Sequence, residues 1–173
     1  MTARAAAAIP IARPQIGDDE AQQVLEVLRS GLLVAGRRVA AFEEAFARYV
    51  GAPYAVATSS GSTALHVALA ALGVGPGDRV VTTPFSFGAT SHAVLHVGAE
   101  PVFADVDPAT GNLDPHAVEP LLRRGGIRAV LVVHLYGLPA DVAAFVDLAA
   151  RYGVLLVEDC AQAHGAAVDG RRV

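Results

Sequence analysis

Four short segments of the sequence place polar side chains at the ends of predicted strands. They are TSSGSTAL (58–65), PFSFGAT (84–90), VVHLYG (132–137) and VEDCAQAHG (157–165). In open α/β sheets, ligands bind outside the carboxyl ends of the strands. We therefore expect the four segments to meet at one edge of a sheet and to carry the chemistry of the protein.

Asp159 is the first candidate, because it follows Val154–Val157, a run typical of a strand buried on both faces. A lone buried carboxylate costs several kcal/mol even after relaxation, so it needs a cation, a metal or a cluster of N–H donors. The cation would not be a Lys of this sequence, whose 13 basic residues are all Arg. An Asp that caps a helix or braces a loop is an equally weighted alternative.

The segment TSSGSTAL has the composition of an anion site at the start of a helix. Gly61 and its neighbours leave backbone N–H groups free at the positive end of the helix dipole, and Ser60, Ser62 and Thr63 add hydroxyl donors. An ordinary N-cap would need only one Ser. The site is not a nucleotide fingerprint, because no G-x-G-x-x-G follows the first strand and the P-loop motif requires a Lys.

PFSFGAT places two aromatic rings just after a strand. We expect Phe85 to belong to the core. Phe87 is followed by Gly88, which lets a ligand approach closely, so its ring is the candidate for contact with a planar ligand.

The cysteine and histidine residues, which could act as nucleophile, base or metal ligand, give weaker evidence for a site. Cys160 with His164 as base would resemble a hydrolase, but no G-x-S-x-G elbow is present and an inert buried thiol is favoured. A zinc site from Cys160, His164 and Asp159 lacks paired ligand spacing, so no metal is predicted. His134 at a strand end is more typical of a structural, hydrogen-bonded histidine.

A phosphate site, a flat aromatic face and a strand-end carboxylate together suit one type of ligand. A planar heterocycle with a phosphate on one side and a ring nitrogen on the other would use all three. Pyridoxal 5′-phosphate fits this description, since an Asp holds its pyridine nitrogen protonated and makes the ring an electron sink.

Helices and strands alternate in the predicted chain. Periodicity predicts helices at 18–29, 37–50, 61–72, 88–97, 114–124 and 140–152, and strands at 54–57, 79–82, 101–104, 129–133 and 154–157. Strands joined through helices require crossover connections and therefore a mostly parallel sheet. The predicted fold class is α/β, a mostly parallel sheet with helices on both faces.

The composition of the sequence argues against some classes of function and partner. The 173 residues are 53% hydrophobic and 17% charged, with a net charge of −4 and no block of like charge. We therefore expect an ordered domain with neither nucleic acid nor membrane as a partner. The single cysteine suits a reducing cytoplasm.

Six segments in order resemble the DegT/DnrJ/EryC1/StrS aminotransferase family. They are IPIARPQIGDDE, SGLLVAG, FEEAFARYVGAPYAVATSSGSTALHVALAALGVGPGD, GAEPVFADVDPATGNLDP, VVHLYGLPAD and VEDCAQAHGA, between about Ile9 and Val173. The resemblance implies the large domain of the fold-type I pyridoxal-phosphate transferase fold. It also implies amination of a nucleotide-linked keto sugar or a keto cyclitol.

The resemblance further implies cofactor contacts for six residues, which are Gly61, Ser62, Thr63, Phe87, Asp159 and Gln162. The first two match the phosphate-binding pair of the family, and Thr63 is a neighbouring donor. Phe87 takes the position of the aromatic residue that stacks on the cofactor ring. Asp159 matches the partner of the pyridine nitrogen, and Gln162 a polar residue facing the cofactor.

The family holds its cofactor through a Schiff base to a Lys, which this sequence lacks. Arg cannot replace it, because the guanidinium stays protonated. We therefore expect a leader or arm at 1–12 and a partial cofactor-binding large domain at 13–173. The C-terminal half with the Schiff-base Lys would lie beyond Val173, leaving no catalytic residue here and a fragment that does not turn over.

The resemblance implies a homodimer that uses Glu or Gln as amino donor. Arg37 and Arg38 either help to build the interfacial site or form a solvated helix start. Two alternatives stay open: a cofactor-dependent sugar dehydratase in which His replaces the Lys, and a non-catalytic fragment.

Overall fold

The computed structural model of the protein describes residues 12–173, so the predicted leader lies outside the described residues except for Ala12. The described chain divides into two compact units, the first ending at Phe42 and the second comprising Glu43–Val173. Within residues 12–173, no helix combines the length and the apolar character that crossing a membrane requires.

The described part of the first unit contains helix α1 (Asp18–Ser30) and the start of α2 (Arg37–Val50). Three acids occupy the first turn of α1, where they suit the helix dipole, and the Gly17 N–H donates to Glu20 Oε2 at 2.7 Å. The helix ends at Gly31, whose φ of 68° is a conformation that glycine adopts readily. Arg38 pairs with Glu26 across these two helices.

Four further helices and a short 3₁₀ turn belong to the second unit. They are α3 (Gly61–Ala71), α4 (Ala89–His96), α5 (Pro115–Arg124), the 3₁₀ turn Leu135–Gly137 and α6 (Val142–Tyr152). Side chains of Ser60, Asp114 and Asp141 cap the first turns of α3, α5 and α6 by accepting backbone N–H groups. These caps fix where each helix begins, and in α3 the cap lies at the predicted anion site.

The second unit is built on a four-stranded parallel sheet. Its strands are β1 (Arg79–Thr82), β2 (Glu100–Phe103), β3 (Ala129–Val133) and β4 (Leu155–Asp159), in the order β2-β1-β3-β4. Val133 pairs with Asp159 at the carboxyl ends of β3 and β4. A small antiparallel hairpin, β5 (Ala167–Val168) with β6 (Arg171–Arg172), follows.

Core residues cover both faces of this sheet. Leu65 and Leu69 of α3 and Val94 of α4 pack in one cluster with Leu131 of β3. A second cluster joins α5 and α6 with the alternate residues of the same strands, including Val130. Successive strand residues point to opposite faces, so β3 is buried on both sides and the α/β prediction with helices on both faces is confirmed.

The structure corrects several local predictions. Residues 54–57 form no strand; Tyr54 is 86% exposed, and the Ala57 N–H donates to Glu43 Oε1 at 2.8 Å. An isolated extended segment needs a neighbouring strand for its backbone groups, and no described strand pairs with it. The strand predicted at 154–157 reaches Asp159, and the hairpin after it was not predicted.

Candidate cofactor site

One cavity of about 240 Å³ lies at the carboxyl edge of the sheet. Five of the six predicted site residues line it, namely Gly61, Ser62, Phe87, Asp159 and Gln162. They come from the start of α3, the loop after β1, the end of β4 and the turn that follows. The structure thus brings together all four segments singled out in the sequence, because Val133 at the end of β3 belongs to the segment VVHLYG and also lines the cavity.

The first turn of α3 presents free donors to this cavity. Ser60 Oγ accepts the Thr63 N–H at 3.2 Å, and Thr63 Oγ1 lies 3.0 Å from the same oxygen. Thr63 is therefore occupied in the cap and does not line the cavity. Among the described residues, none accepts a hydrogen bond from the N–H of Gly61 or Ser62, or from the Ser62 hydroxyl. These groups at the positive end of a helix suit an anion.

Asp159 is 8% exposed and already holds two hydrogen bonds. Its Oδ1 accepts the Ala161 N–H at 3.1 Å, and its Oδ2 accepts the Thr90 hydroxyl at 2.9 Å. An ionised carboxylate offers about four acceptor sites, so two remain for a ligand. Sequence reasoning missed Thr90, because the two residues are 69 positions apart and nothing in the local pattern links them.

Phe87 exposes 75% of its surface and forms part of the cavity wall. Such exposure of a large aromatic ring is costly in water, and a planar ligand against the ring would remove it. Phe85, which we expected in the core, is 51% exposed. Its ring instead lies over Gly111, where an added Cβ would come within 3.3 Å of it.

The orientation of the Gln162 side-chain amide is fixed by the backbone. Its Oε1 accepts the Tyr136 N–H at 2.9 Å. Tyr136 has a φ of 53°, the left-handed region that a residue with a Cβ rarely adopts. With its oxygen used in this way, Gln162 is left with its NH₂ group, a donor of two hydrogen bonds, for any ligand in the cavity.

His134, Glu158 and Cys160 place three possible metal ligands within 4.8 Å of one another. His134 is fully buried, and its Nδ1 accepts the Ala140 N–H at 3.0 Å. The imidazole proton therefore resides on Nε2 and is donated to Glu158 Oε2 at 2.9 Å. A metal bound to Nε2 would force the imidazole proton onto Nδ1, where it would face the Ala140 N–H, a second donor. The group of His134, Glu158 and Cys160 is therefore unsuited to a metal. His164, the other histidine considered as a ligand, packs against the Phe46 ring.

Cys160 is not an activated nucleophile. Burial raises the pKa of its thiol to about 12, with further contributions from the charges of Glu158 and Asp159. The thiolate is the reactive form of cysteine, and at neutral pH it is scarce here. The raised pKa supports the interpretation of an inert thiol, although the residue is half-buried and not fully buried as expected.

The family model of the DegT/DnrJ/EryC1/StrS aminotransferase family matches residues 14–173. The chain belongs to this family. It is 39% identical to GDP-perosamine synthase of Caulobacter vibrioides over 95% of this chain and 44% of that protein. The chain therefore spans less than half the length of the curated relative.

Similar solved structures have the same fold. The aminotransferase from Psychrobacter cryohalolentis is 40% identical with a TM-score of 0.89, over 95% of this chain and 42% of that one. NtdA from Bacillus subtilis, solved with the cofactor PMP bound, is 35% identical with a TM-score of 0.83, over 91% of this chain and 37% of that one. These likenesses confirm the fold-type I large domain predicted from the sequence.

Proposed function

We propose that these residues form a pyridoxal-phosphate pocket of an aminotransferase that acts on a nucleotide-linked keto sugar or a keto cyclitol. One observation carries the proposal: a single cavity joins the free N–H groups of α3, the exposed Phe87 ring and the buried Asp159 carboxylate. These are an anion site, a stacking surface and a partner for a protonated ring nitrogen. When bound, the cofactor supplies an electron sink and carries the amino group.

Asp159 is the residue that would hold the ring nitrogen in its protonated form. Its position at the end of β4 and its hydrogen bonds to Ala161 and Thr90 keep the carboxylate in one orientation. Two of its acceptor sites are free for a ring N–H. A charge-assisted hydrogen bond of this kind is stronger than a neutral one.

The phosphate would bind at the first turn of α3, to the N–H groups of Gly61 and Ser62 and to the Ser62 hydroxyl. Thr63 would contribute indirectly, because its hydroxyl and N–H hold the Ser60 cap in place. Phe87 would cover one side of the ring, and the Gln162 NH₂ group would donate to an oxygen on the ring. Each contact uses a group that makes no other hydrogen bond within the described chain.

The remaining parts of the proposal concern the complete protein. The 173 residues contain no Lys, so the lysine amine that holds the cofactor covalently would come from further sequence. We propose a homodimer that takes its amino group from Glu or Gln, in the reducing compartment that a single cysteine suits.

The test uses the purified protein as its gene encodes it. Titration with pyridoxal phosphate, followed by absorbance and by mass spectrometry after borohydride reduction, should give a reduced adduct on one Lys. Incubation with nucleotide-linked keto sugars or keto cyclitols and Glu or Gln should then yield the amino product. Binding without a lysine adduct, with loss of a hydroxyl group from the sugar, would assign a dehydratase instead. Absence of any cofactor binding would overturn the proposal.

A further inference from the structure

Thr90 connects α4 to the carboxylate at the centre of the candidate site. It lies in the first turn of that helix, is 1% exposed, and its Oγ1 lies 2.9 Å from Asp159 Oδ2. Its backbone N–H donates to the Phe87 carbonyl at 3.1 Å. One buried residue therefore contacts both the aromatic segment and the carboxylate.

The direction of the hydrogen bonds around Thr90 follows from the chemistry of the groups. An ionised carboxylate only accepts, so the single hydroxyl proton of Thr90 goes to Asp159. Ser86 Oγ lies 2.8 Å from Thr90 Oγ1, and with the Thr90 proton already committed, Ser86 must be the donor. A directed chain thus runs from Ser86 through Thr90 to Asp159, and such chains strengthen each member bond.

We propose that Thr90, polarised by Ser86, is a positioning residue that aims the Asp159 carboxylate at the ring nitrogen of the cofactor. This inference rests on the proposed function and deepens it. The hydroxyl occupies one acceptor site of Oδ2 and restrains rotation of the carboxylate, while the Ala161 N–H restrains Oδ1. The free acceptor sites then point in fixed directions before any ligand arrives, which reduces the cost of ordering them on binding.

Thr82 supplies a matched control for the loss of a buried hydroxyl. It is fully buried in β1, and its Oγ1 donates to the Leu131 carbonyl at 2.9 Å, the same length as the bond from Thr90. It does not line the cavity. Thr82→Val therefore removes a buried hydroxyl hydrogen bond of the same length, to a neutral carbonyl instead of a carboxylate, and leaves the site intact.

The experiment compares Thr90→Val, Thr90→Ser and Thr82→Val in the protein as its gene encodes it. The probe is pyridoxamine phosphate (PMP), whose affinity does not depend on a covalent bond to lysine. Affinity is measured by calorimetry, and the protonation of the ring nitrogen by ¹⁵N NMR with ring-labelled PMP. Unfolding in urea gives the stability of each variant.

We expect Thr90→Val to weaken PMP binding roughly tenfold, the effect of losing one hydrogen bond to a charged group. Its ring nitrogen signal should move towards that of the unprotonated ring. Thr90→Ser should restore both properties to within about threefold of the parent. Thr82→Val should lower stability and leave affinity and the nitrogen signal unchanged.

If Thr90→Val fails to fold, Ser86→Ala takes its place, because it removes the hydrogen-bond donor to Thr90. The ring nitrogen signal should then move towards that of the unprotonated ring, by less than expected for Thr90→Val. An unchanged affinity and nitrogen signal in Thr90→Val, or in Ser86→Ala if that variant alone folds, would overturn the inference while the proposed function stands. Equal losses in Thr82→Val would show a general effect of stability and also overturn it. If the parent protein binds no PMP, the proposed function and this inference both fail.

Discussion

The imidazole of His134 donates from Nε2 to Glu158 Oε2 at 2.9 Å across the ends of β3 and β4. The backbone extends the same link, because the His134 N–H donates to the Asp159 carbonyl at 3.1 Å. His134 thus holds both the main chain at Asp159 and the side chain of the neighbouring Glu158. The proton on Nε2 is required by the Ala140 N–H, which occupies Nδ1.

We expect a single, non-exchanging tautomer for His134, with the proton on Nε2. Two-bond ¹H–¹⁵N correlation spectra distinguish the ring nitrogens, and the exposed His116 serves as an internal comparison that averages between tautomers. Addition of Zn²⁺ should leave the His134 signals in place. Movement of the His134 signals on stoichiometric zinc would show that the cluster with Glu158 and Cys160 binds metal after all.

The elements that sequence patterns predicted best are those with a continuous apolar run between turn residues. β1 and β3 have the predicted bounds. The amphipathic helix α2 has them as well, for a different reason, because its apolar residues recur at helical spacing. In β3 five consecutive residues are buried, the pattern typical of a strand covered on both faces. The site could be located from the same logic, because parallel strands end at a common edge.

What the sequence could not predict depends on contacts between distant segments. In the sequence, Thr90 has the pattern of an ordinary helix residue, and only the folded structure shows its hydrogen bond to Asp159. The segment 54–57 has the composition of a strand but no described partner, and pairing is a property of the neighbour rather than of the segment. Phe85 was wrongly expected in the core, since alternation after a strand end no longer reports burial once the chain turns.

Phe87→Leu should weaken PMP binding with little effect on stability. The ring is 75% exposed, so its replacement removes few contacts within the protein. Aromatic stacking is worth about 0.5–1.5 kcal/mol beyond the area buried, which corresponds to roughly a 2- to 12-fold loss of affinity. Phe103→Leu, at a 51% exposed ring of β2, is the matched control and should bind PMP normally. If Phe87→Leu binds PMP as tightly as the parent protein, the Phe87 ring does not contact the cofactor.

Cys160 should resist alkylation in the folded protein. Its pKa is raised from 9.0 to about 12, so at pH 8 its thiolate fraction is roughly a hundred to a thousand times lower than that of an ordinary thiol. Mass spectrometry after iodoacetamide treatment, with and without urea, measures the ratio directly. Because the pKa is raised in the folded state, the associated stability is present below pH 9 and is lost as the pH rises towards 12. Equal labelling rates in both states would contradict the raised pKa.

Gln162→Glu separates two functions of the side-chain amide: its oxygen accepts the Tyr136 N–H, and its NH₂ group is proposed to donate to the cofactor. Glu keeps an oxygen for the Tyr136 N–H, so the stability near neutral pH should change by less than about 0.5 kcal/mol. It loses both donors and adds a negative charge beside Asp159, so PMP affinity should fall at least about tenfold. Gln162→Ala, which removes both the donors and the acceptor, should lower affinity and also release the Tyr136 backbone, a change visible in hydrogen exchange of that amide. Calorimetry decides the question: if Gln162→Glu binds PMP as tightly as the parent protein, the amide does not donate to the cofactor, and its contact with Tyr136 is its whole contribution.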